Sequence, residues 1–257
     1  MNKSKKVIIA LISVLTALAL FLIGVMSFVI AGGSKVFDKV DKSNNNKYEL
    51  TQNVIFEQSY PLTDFNSLKI DTSWADISFE QSDNNEVKVV AYAKKGNIIE
   101  AKIKDRELKI NETRGRITLD KKSLFKGLNF SSIRLVVFVP QGFNYPIDID
   151  SDVGDINLNA PCSSNLKVNI STGDIKAKSL IGKFDISTDM GDIAIKNAEP
   201  SSNSSVETDT GDIKINNAKG VKIEYETDMG DTDVIGSDEQ SSVTLSLSTD
   251  TGDINVN

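Results

Sequence analysis

Thr188-Asp189-Met190-Gly191-Asp192-Ile193 is the stretch that decides the fold, because the chain writes six versions of it. The others are Ser151-Asp152-Val153-Gly154-Asp155-Ile156, Ser171-Thr172-Gly173-Asp174-Ile175, Thr208-Asp209-Thr210-Gly211-Asp212-Ile213, Thr227-Asp228-Met229-Gly230-Asp231-Thr232 and Thr249-Asp250-Thr251-Gly252-Asp253-Ile254. Their glycines lie 19, 18, 20, 19 and 22 residues apart. A period near 20 residues is the mark of a solenoid, in which each repeat is a small unit stacked on the next.

Aligned on the glycine, the flanking positions alternate. Five residues before it stand Ile149, Val168, Ile186, Val206, Tyr225 and Leu247, and seven before stand Ile147, Leu166, Phe184, Ser204, Ile223 and Leu245. Two after stand Ile156, Ile175, Ile193, Ile213, Thr232 and Ile254, and four after stand Leu158, Ala177, Ile195, Ile215, Val234 and Val256. Apolar residues at period two describe a strand with one buried face. Each unit therefore reads as strand, Gly-Asp corner, strand and polar return. One unit buries almost nothing by itself, so the units must stack and share a column of Ile, Val and Leu.

Neighbouring coils would pair in parallel, about 4.8 Å apart, and parallel crossovers are almost always right-handed. The expected fold is all-β: a right-handed β-solenoid of about 20-residue coils. The glycine supplies a positive φ at the corner. The aspartate beside it is expected to hydrogen-bond its own turn. Thr188, Thr208, Thr227 and Thr249 have inward parity, so they are expected to bond to the turn. A flat outward threonine array is not expected, because Met190 and Met229 interrupt it.

The clear repeats span 147–257, and a degenerate form spans 65–146. Leu68, Ile70, Thr72, Ala75-Asp76, Ile77 and Phe79 fit the template, with Ala75 in the glycine position. Gly115 fits between Leu108/Ile110 and Ile117/Leu119, and Gly96 fits weakly. A single solenoid domain is expected over 48–257, against the alternative of a separate β-rich cap. The sequence stops at Ile254-Asn255-Val256-Asn257, directly on a core strand. An uncovered edge invites pairing, so self-association through this C-terminal edge strand, or pairing with another envelope protein, is expected.

Composition removes several function classes. Cys162 is the sole cysteine, which excludes an intrachain disulfide, a Cys-x-x-Cys zinc site and dithiol redox chemistry. The chain has no histidine, which excludes histidine triads, histidine-ligated metals and histidine acid–base catalysis. Residues 1–147 hold 21 Lys and Arg against 15 Asp and Glu, whereas residues 148–257 hold 8 against 21. So acidic a half, lacking any arginine, is unsuited to nucleic acid.

No charged residue lies between Lys6 and Lys35, and Val7–Ala31 is a nearly continuous apolar run of 25 residues. About 20 residues cross a bilayer as a helix, whereas the apolar core of a signal peptide is about 7–15. Residues 1–31 are therefore expected to form a short cytoplasmic tail and a transmembrane helix, so that Val7–Ala31 holds the membrane. Lys3, Lys5 and Lys6 keep the N-terminus inside. Residues 32–47, rich in Gly, Ser, Asn and Lys, read as a flexible linker. The expected location is the cell membrane, single-pass, with the C-terminal domain extracellular.

The corner aspartates are the first candidates for chemistry. Asp155, Asp174, Asp192, Asp212, Asp231 and Asp253 occur in all six copies, and a second column is Asp152, Asp189, Asp209, Asp228 and Asp250. In register, such columns become carboxylate ladders. Like charges about 5 Å apart repel by roughly 1 kcal/mol per pair in water-like surroundings. Calcium, which takes several oxygens in irregular geometry, is the ion to test on the first column. The plainer expectation is that each aspartate caps its turn. Glycoside hydrolysis needs two carboxyls in unlike environments, and acids recurring uniformly in turns point to architecture instead. The basic stretch Lys121-Lys122-Ser123-Leu124-Phe125-Lys126 reads as a solvated loop or as a patch for anionic lipid or wall polymer. Trp74, beside the first corner, reads as a cap over the first coil.

Residues from about Phe56 to Asn257 resemble the bacterial putative-adhesin domain family of unknown function, which includes Lia-type membrane proteins associated with envelope stress. The resemblance is carried by Leu68-Lys69-Ile70-Asp71-Thr72 with Ala75-Asp76-Ile77, by Val136-Val137-Phe138-Val139-Pro140, and by the repeated Thr-Asp-x-Gly-Asp-Ile corners. It implies an extracytoplasmic β-solenoid with an adhesive or envelope-monitoring role, and it carries no catalytic residues. The expected function is a membrane-anchored, non-catalytic binding or scaffold module contacting cell-wall polymer or an envelope protein. The alternative is an accessory regulator of an envelope-stress signalling system. A carbohydrate-active enzyme is the third reading.

Overall fold

The computed structural model describes residues 53–93, 97–114, 133–162 and 165–257. The expected membrane span, the linker, the corners at Gly96 and Gly115 and the basic stretch 121–126 lie outside the described residues. No helix among the described residues is long and apolar enough to cross a membrane.

Among the described residues all regular structure is β except a 3-10 turn at Leu62–Asp64. The N-terminal strands are β1 (Asn53–Pro61), β2 (Ser67–Ser82), β3 (Glu86–Ala93), β4 (Asn97–Lys104), β5 (Glu107–Arg114) and β6 (Ile133–Pro140). Six units then follow, each a long strand, a two-residue Gly-Asp corner and a short strand. They are β7/β8 (Ile147–Val153, Ile156–Leu158), β9/β10 (Leu166–Thr172, Ile175–Ala177) and β11/β12 (Phe184–Met190, Ile193–Ile195). Next come β13/β14 (Ser204–Thr210, Ile213–Ile215), β15/β16 (Lys222–Met229, Thr232–Val234) and β17/β18 (Thr244–Thr251, Ile254–Val256).

The units stack in parallel with matched register. Ile149, Val168, Ile186 and Val206 are successive partners on the long-strand face. Ile156, Ile175, Ile193 and Ile213 do the same on the short-strand face. A third, minimal face is made by parallel bridges linking Cys162, Leu180, Ala198 and Ala218. The columns read from the sequence all turn inward here and are buried until the last rung. Alternation along each strand is the cause: one face must leave water, and only these positions share a side.

The rungs do not follow chain order at either end. Strand β2 lies between β5 and β7 on one face and between β6 and β8 on the other. At the far end β17 lies between β13 and β15, and β18 between β14 and β16. The expectation of a bare C-terminal edge is therefore corrected. Ile254–Val256 is an interior strand, and the rung that ends the stack is β15/β16. Space for the last unit exists because the chain from Ile215 to Lys222 skips one slot, and after the loop 235–243 strands β17 and β18 fill it.

The upstream region is less regular than the repeats. Strands β2, β5 and β6 are true parallel rungs, with Leu68 opposite Leu108 and Ile77 opposite Leu135. Strands β1, β3 and β4 instead pair antiparallel, β1 with β3, β3 with β6 and β4 with β5. Ala75 stands in the glycine position as read: β2 passes from the long-strand face to the short-strand face between Trp74 and Ala75, and the Ala75 carbonyl lies beneath Gly154. The difference is that β2 runs through this bend as one continuous 16-residue strand, whereas the Gly-Asp units break there.

Candidate functional site

The corner column is built from backbone upward. Gly154, Gly173, Gly191, Gly211, Gly252 and Gly230 stand in one file in that spatial order, and each has φ between +138° and +156°. A Cβ built on Gly191 would lie 2.0 Å from the carbonyl oxygen of Gly173, and one on Gly211 would lie 2.0 Å from that of Gly191. Glycine is required twice over, by backbone conformation and by the close passage of the rung beneath.

From Gly173 to Gly252 the carbonyl of each corner glycine accepts a hydroxyl from the next rung. Thr208 donates its hydroxyl to Gly191 at 3.1 Å, Thr249 to Gly211 at 3.1 Å and Thr227 to Gly252 at 3.1 Å. Thr188 and Gly173 form a longer version at 3.4 Å. The inward threonines thus bond to a corner as expected, but to the corner of the neighbouring rung.

The aspartates do the same. The carboxylate of Asp155 accepts the backbone N–H of Asp174 at 3.0 Å, Asp174 accepts that of Asp192 at 3.1 Å, and Asp192 accepts that of Asp212 at 2.9 Å. Asp212 then accepts from Asp253 at 2.8 Å, and Asp253 from Asp231 at 2.8 Å. The ladder begins at Asp76, which accepts the N–H of Asp155. The expected capping of the aspartate's own turn is replaced by capping of the next one. Hydrogen bonds to a charged acceptor contribute about 1.5–3 kcal/mol each, enough to exceed a repulsion of about 1 kcal/mol between exposed neighbours. The tension remains visible: burial first, and the flanking Asp174 and Asp212 carboxylates after it, hold Asp192 above the ordinary aspartate range. Burial likewise raises Asp76.

The structure therefore brings Asp155, Asp174, Asp192, Asp212, Asp253 and Asp231 into one file, as the ladder expectation required. It spaces them one per rung. Among the described residues no three acidic side chains converge on a point that could hold a metal ion.

The outer face of the long strands is the other candidate. Asp152, Ser171, Asp189, Asp209, Asp250 and Asp228 occupy its row nearest the corner. A second row holds Asp150, Asn169, Ser187, Glu207, Ser248 and Glu226, and a third holds Asp148, Lys167, Asp185, Ser205, Ser246 and Glu224. A connected network crosses four strands at one end. Lys69 donates to Asp148 at 2.8 Å and to Asp150 at 2.9 Å, Asn169 donates to Asp150 at 2.9 Å, and Ser187 donates to Asn169 at 3.1 Å. The Asn169 amide, with the Lys69 ammonium, holds Asp150 below the usual carboxylate range. The two carboxylates push Lys69 well above the usual lysine range. A groove of about 270 Å³ runs along this face, walled by Asp71, Asp150, Asp152, Asn169, Ser187 and Asp189.

This network was missed at the level of sequence, although its signal was there. Four and six residues before each glycine, the alignment holds only polar residues. Trp74 is opposite Val153 across the corner between β2 and β7. The backbone N–H groups of Ser73 and Trp74 both donate to Glu112, at 2.9 and 2.7 Å. Glu112 thus serves β2 as the ladder aspartates serve later rungs.

The arrangement can present charge and hydroxyl groups on a rigid, periodic surface.

The sequence profile of the Toastrack DUF4097 family matches residues 65–257. No curated protein matches the chain. A solved structure described as a "putative cell adhesion protein" from Clostridium sporogenes superposes with a TM-score of 0.50 at 12% identity, covering 80% of this chain and 98% of that one. A "putative adhesin" from Bacteroides fragilis gives 0.40 at 17% identity, covering 79% and 96%. A "putative lipid binding protein" from Parabacteroides distasonis gives 0.35 at 18% identity, covering 79% and 96%. At 12% identity the first of these likenesses speaks for the fold alone.

Proposed function

The chain belongs to the Toastrack DUF4097 family, and from that premise we propose that it is a non-catalytic binding module displayed on the outer side of a bacterial cell membrane. In this reading Val7–Ala31 is the membrane anchor, residues 32–47 are the tether, and the right-handed stack of coils is the displayed part. The ligand is a surface component of the envelope, a wall polymer or a membrane protein.

One observation carries the reading. The outer face of the long strands repeats carboxylate, hydroxyl and amide groups at fixed spacing, while the interior and corners are given wholly to holding that face rigid. An enzyme concentrates unlike groups in one place. This molecule distributes like groups along a ruler, which suits a ligand that is itself repetitive or extended. Rigidity limits the conformational entropy lost on binding.

The test is retention. The full chain, in detergent micelles, is incubated with cell envelopes before and after removal of wall polymer, with and without millimolar calcium. Saturable retention that the Glu207→Lys/Asp209→Lys variant loses supports the reading. Retention that needs calcium would assign the aspartate file a metal-bridging role. Equal retention of the wild type and the charge-reversed variant would remove the outer face from the argument.

A further inference from the structure

The stack closes on β15 and β16, and that end is unfinished. Among the described residues no strand pairs with their outer side. The loop after β16 reaches only the start of that edge, where the Ile223 N–H donates to Ser237 at 3.1 Å and the Asp238 N–H donates to the Val221 carbonyl at 2.9 Å; the stretch from Glu224 onward is left open. Tyr225 occupies the inward column but is 50% exposed, whereas its neighbour Leu247, one rung in, is 2% exposed. Val234 is only half-buried where Val256 beside it is fully covered.

The corner tells the same story in polar terms. At every inner rung the glycine carbonyl or the aspartate carboxylate receives a donor from the rung that follows. At Gly230-Asp231 there is no following rung, and among the described residues neither acceptor has a donor from one. The end therefore offers two acceptors, the edge backbone of two strands and a strip of inward-facing side chains, all set to the spacing of one more rung. An edge of this kind is a template for an added strand.

Charge selects the occupant. From Lys222 to Val234 this rung carries Glu224, Glu226, Asp228, Asp231 and Asp233 against Lys222 alone. A second copy paired edge to edge about a two-fold axis through Glu226 would set Glu226 against itself and Glu224 against Asp228 of the other copy, and like charges directly opposite destabilise a strand pair. A strand with lysine or arginine at every second position reverses that sign. Its intervening residues would lie over the inward positions Ile223 and Tyr225 of β15, so they must be apolar.

We propose that the β15 edge captures an extended, basic polypeptide segment of alternating cationic and apolar residues, which adds to the stack as a further strand. The proposal rests on the reading of this protein as a binding module, and it narrows the partner to a protein.

The experiment uses the full chain in detergent micelles and a fluorescently labelled eight-residue peptide of alternating lysine and valine, with anisotropy as the readout. Saturable binding is expected. A peptide of alternating glutamate and valine is expected to bind at least about tenfold more weakly, since three exposed charge pairs change sign. Methylating every second backbone nitrogen of the lysine peptide keeps its charge but removes its edge hydrogen bonds, and is expected to abolish saturable binding. The Glu224→Lys/Glu226→Lys/Asp228→Lys variant should reverse the preference between the two charged peptides. Equal binding of the methylated and unmethylated peptides overturns strand addition and leaves only charge attraction. Undiminished binding of the lysine peptide to the reversed-charge variant overturns the location. Absence of binding, with monomer restored to a self-associated wild type by that same variant, overturns the occupant in favour of a second copy. Envelope retention of the reversed-charge variant is measured in parallel. If retention persists while the peptide fails, the edge inference falls and the binding-module reading stands.

Discussion

Replacing Gly191 by alanine is the sharpest test of the stacked-corner architecture. The added Cβ would sit 2.0 Å from the Gly173 carbonyl oxygen and 2.6 Å from its carbon. Ordinary contact between carbon and oxygen needs well over 3 Å, so rungs held about 4.8 Å apart would have to open by roughly 1 Å locally. The backbone offers no escape, because φ at Gly191 is +151°, a region that side chains occupy at a cost of about 1–3 kcal/mol. Four hydrogen bonds of this corner are at stake: Gly191 N–H to Thr210, Thr208 to Gly191, Asp192 N–H to Asp174, and Asp212 N–H to Asp192. Each contributes about 0.5–1.5 kcal/mol, more for the charged acceptor. Losing two of them together with the conformational strain costs about 3–6 kcal/mol, a large part of the stability of a domain of this size.

The assay is equilibrium urea unfolding followed by far-ultraviolet circular dichroism, with Gly142→Ala as the comparison. Gly142 also has a positive φ, +74°, but an added Cβ there meets nothing within 4 Å. That variant should lose only about 1 kcal/mol. If Gly191→Ala is no less stable than Gly142→Ala, the carbonyl file does not exist as described, and the ladders that depend on it go too.

Asp192→Asn keeps an acceptor oxygen for the Asp212 N–H and removes a carboxylate that burial and its neighbours disfavour, so thermal melting at pH 7 should find it equal to or above wild type; Asp192→Ala should be lower by about 1–3 kcal/mol. Because the folded state raises the Asp192 pKa, the cost of ionising it is absent below its ordinary value and grows as pH rises through the folded value, so the gain from asparagine should shrink between pH 7 and pH 4. Asp150 has the opposite sign. Its lowered pKa contributes stability above the ordinary value that disappears as pH falls through the folded one, and Asn169→Leu, which removes the leading cause, should flatten the acid limb of a stability–pH curve. Thr208→Val preserves shape but leaves the Gly191 carbonyl without its hydroxyl, and should lower stability by about 1–2 kcal/mol, seen as a melting shift of several degrees. An unchanged melting temperature in that variant would show that the interior threonines act through packing alone.

The repeating part of the fold was legible because its physics is local. Inward columns at positions such as Ile186 and Ile193 follow from period two, and the glycine file follows from a corner that only glycine can turn. The inward threonines were legible for the same reason. The hydrogen-bond partners were not. Asp174 and Thr208 each contact a rung 18 or 17 residues away along the chain, and nothing in one repeat says whether a polar side chain serves its own turn or the next. The antiparallel strands β1, β3 and β4 escaped because they carry no corner motif, and an alternating strand looks alike in either orientation. The polar face network around Lys69 needs residues 69, 148, 150, 169 and 187 together, which only the stacking register supplies.

Rung order is the instructive miss, because the sequence did hold a clue. Among the inward columns two positions break the aliphatic rule in the same unit: Tyr225 where others carry Ile, Val or Leu, and Thr232 where all others carry Ile. A rung with a neighbour on both sides has no reason to accept either residue. A rung with water on one side does, since Tyr and Thr leave a polar group in solvent that an isoleucine could not. The unit ending in Val256, by contrast, keeps Leu245, Leu247 and Ile254, all buried to within 2%. The more polar unit is therefore the terminal one, and the fully aliphatic unit is tucked beneath it. β15 can then dock only together with β17 or after it, because among the described residues it has no other long-strand partner. Shortening the 235–243 loop should block the docking of β17 and leave Ile213 and Ile215 uncovered as well. Deleting three residues from it should cost more stability than the whole of Tyr225→Ala, although the loop itself buries almost nothing. Limited proteolysis reads the result directly: cleavage spreading from 216–257 back to 204–215 supports the insertion order, and cleavage confined to 235–257 refutes it.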